Sequence, residues 1–161
     1  KIFPSLLLSL RYLNGDTSAL NNISSQTDAT LEDLCTFFDA KLTEASAEFA
    51  VTPLQHVDVL ILFNLLHNAK KFTVNPASPE ITLNYNPQAR IGSITNLADM
   101  PPPENAFETG KTGKGGNTGY GLTICRLYAA IAEKNLSMKA VPHESGLYSV
   151  TFSITDELQP H

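Results

Sequence analysis

Two amides and a lysine lie along one side of an otherwise apolar segment. Most residues from Val57 to Phe72 are apolar, as in a helix that is buried on nearly all sides. The polar exceptions share one face, because helical residues three, four and seven apart are neighbours: Asn64, His67, Asn68 and Lys71. A buried amide needs a hydrogen-bonding partner. This polar strip suits either a metal-bound triphosphate or the wet edge of a packed helix, and His67 fits a phosphate contact or a structural histidine.

A glycine-rich run forms the second cluster. Residues 113 to 124 read Gly-Lys-Gly-Gly-Asn-Thr-Gly-Tyr-Gly-Leu-Thr-Ile and pass directly into an apolar helical pattern that continues to Ile131. Glycines let the backbone approach an anion closely, and the free N–H groups at a helix N-terminus favour negative charge. The run predicts a phosphate-binding turn or, alternatively, a flexible loop before a helix.

Both clusters resemble motifs of the ATP-binding catalytic domain of bacterial sensor histidine kinases, in the superfamily of DNA gyrase B, Hsp90 and MutL. Asn-Leu-Leu-x-Asn-Ala-x-Lys-Phe-Thr, residues 64 to 73, is similar to the N box, and Gly-x-Gly-Leu-x-Ile from Gly119 is similar to the G2 box. The resemblance implies that Asn68 ligates Mg²⁺ through its amide oxygen, which suits a hard cation. It also implies that Lys71 reaches the phosphates and that the G2 box, with Gly119, Gly121 and Leu122, binds them.

Residues 107 to 118 match the ATP lid of that family, and Phe107 stands where the family has an aromatic F box. Lys111 and Lys114 are then candidate phosphate contacts, or else solvated charges of the lid. Five glycines lie in and beside this segment. We expect the lid to be mobile without nucleotide, because ordering such a chain costs much conformational entropy.

The segment after the predicted strand Ile91 to Thr95 departs from the family pattern. Where the family has Asp-x-Gly-x-Gly, the G1 box, residues 96 to 100 read Asn-Leu-Ala-Asp-Met. The Asn96 amide oxygen can still accept a hydrogen bond from the adenine amino group, with less charge assistance. Ala98 and Met100 replace glycines, and we expect the Met100 thioether to crowd the purine pocket. Asp99 is a displaced G1 aspartate only if the strand register shifts.

Asn64 stands where ATP-hydrolysing relatives carry a glutamate base, and an amide cannot take a proton. The resemblance therefore implies a protein histidine kinase domain that binds ATP-Mg²⁺, with Asn64 and Lys71 as catalytic residues, and donates the γ-phosphate without fast hydrolysis. None of the four histidines fits the phosphoacceptor. The acceptor then belongs to a histidine domain of the same kinase outside this chain, the downstream partner is a response regulator receiver domain, and the parent protein is a homodimer.

Other functions stay open. The altered G1 box favours a non-catalytic relative, such as a histidine phosphotransferase or a pseudokinase that has lost ATP binding. An anti-sigma factor kinase or a mitochondrial dehydrogenase kinase belongs to the same superfamily, but the N box is of the bacterial histidine kinase type. A pure protein-interaction domain would leave the polar strip and the glycine run without a role.

Composition indicates one domain without a membrane span. The 161 residues are 42% hydrophobic and 17% charged, enough for one core, and no apolar run reaches 18 residues. The net charge of −5 argues against nucleic acid as a partner. Cys35 and Cys125 lack metal-site spacing, so we expect buried thiols in the cytoplasm, in a parent protein that can still be membrane-anchored.

The periodicity predicts a two-layer α/β sandwich of the α+β class, with a mixed sheet covered by helices on one face. We expect a helix over residues 2–13, a loop with one short strand near Ile23, and a helix from Thr30 to about Ala47. Strands are predicted at 48–52, 81–85, 91–95, 137–141 and 148–154. Residues 1–27 are then a linker and a remnant of the dimerisation helix, 28–155 the ATP-binding domain and 156–161 a flexible tail.

Overall fold

A five-stranded mixed sheet and the helices on one of its faces make up the architecture. A computed structural model describes residues 1–75, 79–102 and 120–156. The helices are α1 (Phe3–Leu13), α2 (Leu31–Phe38), α3 (His56–Phe72) and α4 (Tyr120–Ile131). The strands are β1 (Lys41–Leu42), β2 (Ile81–Asn86), β3 (Ile91–Ala98), β4 (Lys134–Pro142) and β5 (Tyr148–Asp156), and short 3-10 turns span Thr17–Asn22, Glu44–Phe49 and Glu144–Gly146. The predicted α+β sandwich is confirmed.

The sheet has the order β1-β2-β3-β5-β4. Only the edge pair β1 and β2 is parallel, and the other neighbours are antiparallel. Side chains alternate across the sheet, as the period of a strand requires: Ile81, Leu83 and Tyr85 are buried under the helices while Thr82 and Asn84 are exposed. The helical layer therefore lies on one face.

Helix α3 runs through the middle of the core. Its apolar residues are buried on nearly all sides, and they are Val57, Val59, Leu60, Ile61, Leu62, Leu65, Leu66 and Ala69. Helix α4 packs alongside α3, where the buried Cys125 thiol donates to the Ile61 carbonyl oxygen at 3.7 Å. Cys35 is buried too, as predicted for both thiols.

Three local predictions are wrong. The second helix ends at Phe38 instead of continuing to Ala47, because Asp39 takes a left-handed conformation (φ 55°) that turns the chain into β1. Residues 48–52 form no strand; they lie in and just after the 3-10 turn Glu44–Phe49, whose Ser46 hydroxyl accepts the Tyr85 N–H at 2.8 Å. Ile23 follows the 3-10 turn Thr17–Asn22 and forms no strand, and the extended pairing nearby is a single bridge between Gln26 and Gln55.

Helix α1 is docked on α3 and α4 through hydroxyl groups. The buried Ser5 places its Oγ 2.9 Å from His56 Nδ1, at the first residue of α3, and the Ser9 hydroxyl is hydrogen-bonded to the buried Tyr128 on α4. The opposite side of α1 is apolar and exposed, at Phe3, Leu7, Leu10 and Leu13. Its interpretation as a dimerisation remnant, like the boundary at residue 27, stays a prediction.

Within the described residues, no helix combines the length and the hydropathy that a membrane crossing requires. The tail from 157 to 161 lies outside them.

Candidate functional site

The polar strip of α3 lies outside the core, as the periodicity predicts. Asn64 and Asn68 are half-buried while His67 and Lys71 are exposed. The two amides differ in their bonding: Asn64 Nδ2 donates to the Leu60 carbonyl oxygen at 2.7 Å. The Asn68 amide makes no hydrogen bond to any other described residue, so its oxygen and nitrogen remain available to a ligand.

Two consecutive lysines near the end of α3 point in different directions. Lys70 Nζ lies 3.8 Å from Asp39 Oδ2, at the end of α2. Lys71 lies on the strip with Asn64 and Asn68, and its Nζ is 5.8 Å from the ring centroid of Phe72. It forms no ion pair with the rest of the described chain. Lys71 is therefore the lysine that can meet an anion beside the two amides.

A second polar group lies where α3 ends against β3. The Val74 N–H donates to the Leu97 carbonyl oxygen at 3.0 Å, which places the end of α3 beside the end of the strand. Asn96 is 3% exposed, and its Nδ2 lies 3.4 Å from that same carbonyl oxygen. Thr73 is 2% exposed, and among the described residues its Oγ1 has no hydrogen-bonding partner.

An unpartnered buried hydroxyl carries a free-energy cost of about 1–3 kcal/mol, and native structures rarely tolerate one without a partner such as water or a ligand. Thr73 is the last residue of the N-box motif, but periodicity assigns it no role. The β3 residues near it come from a distant part of the sequence. The hydrogen bond between the Val74 N–H and the Leu97 carbonyl oxygen brings Thr73 close to Asn96, the residue that replaces the family aspartate.

The two residues that replace the G1 glycines have different surroundings. Ala98 is buried at the end of β3, whereas Met100 is 48% exposed just beyond the strand. Asn96 and Ala98 lie on the helix-facing side of β3 with Ile94, since alternate strand residues share a face. The Asn96 side chain therefore points toward the helical layer.

Helix α4 begins within the predicted G2 box. It starts at Tyr120, so Gly121 and the buried Leu122 lie in its first turn. The predicted phosphate contacts Lys111, Lys114 and Gly119, the lid and Phe107 all lie outside the described residues. The roles proposed for them remain predictions.

The chemistry of the strip suits a metal only together with a ligand. In the described part of the chain no three His, Cys, Asp or Glu side chains cluster as a metal site. Mg²⁺ is commonly held by one or two protein oxygens, substrate phosphates and water. A free Asn68 oxygen beside Lys71 fits that mode, and the unpartnered Thr73 hydroxyl fits a polar ligand at the other end of the site.

Sequence reasoning also missed two features around the strip. Phe63 stacks on His67, with ring centroids 6.4 Å apart and planes 8° apart, and contacts Phe37 and Phe38 of α2. Asp58 is buried on α3; its two carboxylate oxygens share the Arg90 Nε–H, at 3.0 and 3.3 Å, and one of them also accepts from Nη2 at 2.9 Å. An acidic residue in an apolar helix signals such a pair, but its partner cannot be read from spacing.

Solved structures of histidine kinase catalytic domains share this fold. A nucleotide-free form of the catalytic domain of histidine kinase ThkA matches with a TM-score of 0.50 at 17% identity, over 83% of this chain and 97% of that one. Full-length ShkA in complex with AMPPNP matches with a TM-score of 0.50 at 17% identity, over 98% of this chain and 38% of that one. No protein-family model and no curated protein matches the sequence. The chain therefore has the fold of histidine kinase catalytic domains, as the motifs predicted.

Proposed function

We propose that this chain is the ATP-binding catalytic domain of a two-component sensor histidine kinase, and that residues 28–155 bind ATP-Mg²⁺. The observation that carries the proposal is the strip on α3, where a free Asn68 amide and an exposed Lys71 lie on a helix that is otherwise buried. The shared fold supports the proposal, and so does the buried Thr73 hydroxyl, which has no hydrogen-bonding partner among the described residues.

Each residue of the strip has a distinct part in this proposal. Asn68 offers an oxygen ligand, and Mg²⁺ bound there would neutralise charge on the phosphates. Lys71 contacts the phosphates, and the positive end of the α4 dipole, around Gly121 and Leu122, favours the same anion. Asn64, whose nitrogen is held by Leu60, presents an amide that takes no proton from water. Hydrolysis is then slow, and the γ-phosphate is kept for transfer.

The wider assignments follow from the same proposal. The acceptor is a histidine of the same kinase outside this chain, and the phosphoryl group passes on to a receiver domain. The parent protein is a cytoplasmic or membrane-anchored homodimer, and the exposed apolar side of α1 supports such a contact. Net negative charge gives no support for a nucleic-acid partner.

A second candidate is a non-catalytic relative that keeps the fold without binding ATP. The residues that favour it are Asn96, Ala98 and Met100, which stand in place of the G1 aspartate and glycines. The exposure of Met100 counts against a thioether packed into the purine pocket.

A titration with a ribose-labelled fluorescent ATP analogue separates the two candidates. We expect saturable binding in the presence of Mg²⁺, displaced by unlabelled ATP, with hydrolysis far slower than release. Absence of binding at millimolar nucleotide, in a protein shown to be folded by circular dichroism, would favour the non-catalytic relative.

A further inference from the structure

Two buried neutral polar residues, Asn96 and Thr73, lie near the Leu97 carbonyl oxygen. Asn96 is buried and directs its Nδ2 to that oxygen, while Thr73 is buried immediately before Val74, whose N–H also donates to it. Neither side chain carries a charge. This corner of the molecule therefore offers hydrogen bonds to a buried ligand without imposing a fixed polarity.

The contact that orients the Asn96 amide is weak. At 3.4 Å, the distance from its nitrogen to the Leu97 oxygen is longer than the usual 2.7–3.2 Å of an N–H···O hydrogen bond. A flip of the Asn96 amide would exchange the positions of its donor and its acceptor. Only the contact with the Leu97 oxygen would be lost. The Thr73 hydroxyl can also donate or accept, because it has both a proton and lone pairs.

Purine bases differ in polarity along one edge. Adenine presents a donor, its amino group, at the position where guanine presents an acceptor, its carbonyl oxygen. The neighbouring ring nitrogen is reversed as well, an acceptor in adenine and a donor in guanine. A carboxylate only accepts hydrogen bonds, so beside that edge it favours the adenine amino group and disfavours the guanine oxygen.

We propose that the nucleotide site of this chain accepts guanine as well as adenine nucleoside triphosphates, because Asn96 and Thr73 can match either purine edge. This inference rests on the proposed function and on the contact between Asn96 and the base that the resemblance to the G1 box implies. It extends the substrate class from ATP to purine nucleoside triphosphates.

The test compares the dissociation constants of ATP and GTP. Unlabelled ATP and GTP displace a ribose-labelled ATP analogue from the native chain in excess Mg²⁺, so that the label does not touch the base. We expect the two constants to agree within about tenfold. In Asn96→Asp the ratio should shift toward ATP by about tenfold or more, since a carboxylate strengthens the contact to adenine and leaves the guanine oxygen unpaired.

Thr73→Val is the matched control, because it keeps the shape of the side chain and removes only the hydroxyl. It should weaken both nucleotides to a similar extent. Should Asn96→Asp fail to fold by circular dichroism, the ratio in the native chain decides alone.

A native preference for ATP of more than tenfold would overturn the inference and leave the proposed function in place. Failure of both nucleotides to bind would remove both proposals.

Discussion

Asn64 and Asn68 share one face of α3 and one residue type, yet their amides are in different states. Asn64 uses its nitrogen on the Leu60 carbonyl oxygen, one turn earlier in the same helix, which fixes the side chain. Asn68 has no such bond within the described chain and can turn its oxygen toward a cation. Sequence spacing predicted the shared face, but only the structure separates an amide that is held in place from one that is free.

Lys71 provides a test at the scale of single residues, and its neighbour Lys70 is the matched control. Lys71→Ala should weaken ATP binding by about tenfold, because a charge-assisted contact to phosphate contributes roughly 1.5–3 kcal/mol and part of it is screened by solvent. Lys70→Ala should change ATP binding little, since Lys70 faces Asp39 on α2.

Displacement titrations with ATP and with adenosine measure both lysine variants. Adenosine has no phosphate, so its affinity should be unchanged in either one. Equal losses of ATP affinity in Lys70→Ala and Lys71→Ala would show that the effect is general charge and not a phosphate contact at Lys71.

At the scale of elements, α3 holds the strip because the rest of the helix is fixed in the core. Its first turns are fastened to the β2–β3 hairpin by the buried Asp58, which pairs with Arg90 at 2.9 Å. Hydrogen bonding to Asp58 raises the pKa of Arg90, and burial followed by the charge of Asp58 raises the pKa of Tyr85. The ten residues from Asp58 to Asn68 span about 15 Å of helix, so this pair supports the site without touching it.

Arg90→Met should destabilise the fold by about 3 kcal/mol, because it leaves the Asp58 carboxylate buried without its partner. Urea unfolding of the variant measures the loss, and Arg90→Met combined with Asp58→Leu should recover most of it. If the double variant were as unstable as the single one, the pair would not act by offsetting a buried charge.

The elements that the sequence predicts well are those whose pattern is local. Helix α3 and the hairpin strands β2 and β3 begin within a residue of the prediction, because apolar periodicity and turn residues define them. The second helix was predicted too long because the apolar spacing continues past Asp39, and a left-handed residue leaves no mark in that spacing. Thr73 lies near β3, and Asp58 pairs with Arg90, because of the way the chain packs. Periodicity in the sequence carries no information about such long-range contacts.

For the whole molecule, α1 connects the N-terminal segment to the two helices that carry the proposed site, α3 and α4. It reaches α3 through Ser5 and His56 and reaches α4 through Ser9 and Tyr128. Ile2 and Leu8 of this segment are part of the main core. A shift of α1 would therefore disturb the packing of both helices that flank the proposed site.

Docking of α1 should depend on pH through His56. Burial lowers the pKa of His56 below its usual 6.5, so the docked state favours the neutral imidazole and the undocked state binds the proton more readily. The stabilisation is present above pH 6.5 and is lost as the pH falls through the lowered pKa.

Amide hydrogen exchange of α1, corrected for intrinsic rates, should show weaker protection at pH 5.5 than at pH 7.5. His56→Phe should remove the difference. Protection that is independent of pH in the native chain would contradict a role for this imidazole in docking.

The most direct measurement of the central claim, that the α3 strip holds a metal-bound triphosphate, is a four-way titration. The native chain and Asn68→Ala are each titrated with a fluorescent ATP analogue, with and without Mg²⁺. Since Asn68 faces away from the core, the variant should keep its fold. We expect Mg²⁺ to tighten binding of the ATP analogue to the native chain. The same addition should have much less effect on binding to Asn68→Ala. An equal loss of affinity in the variant with and without Mg²⁺ would contradict the assignment of Asn68 as a metal ligand.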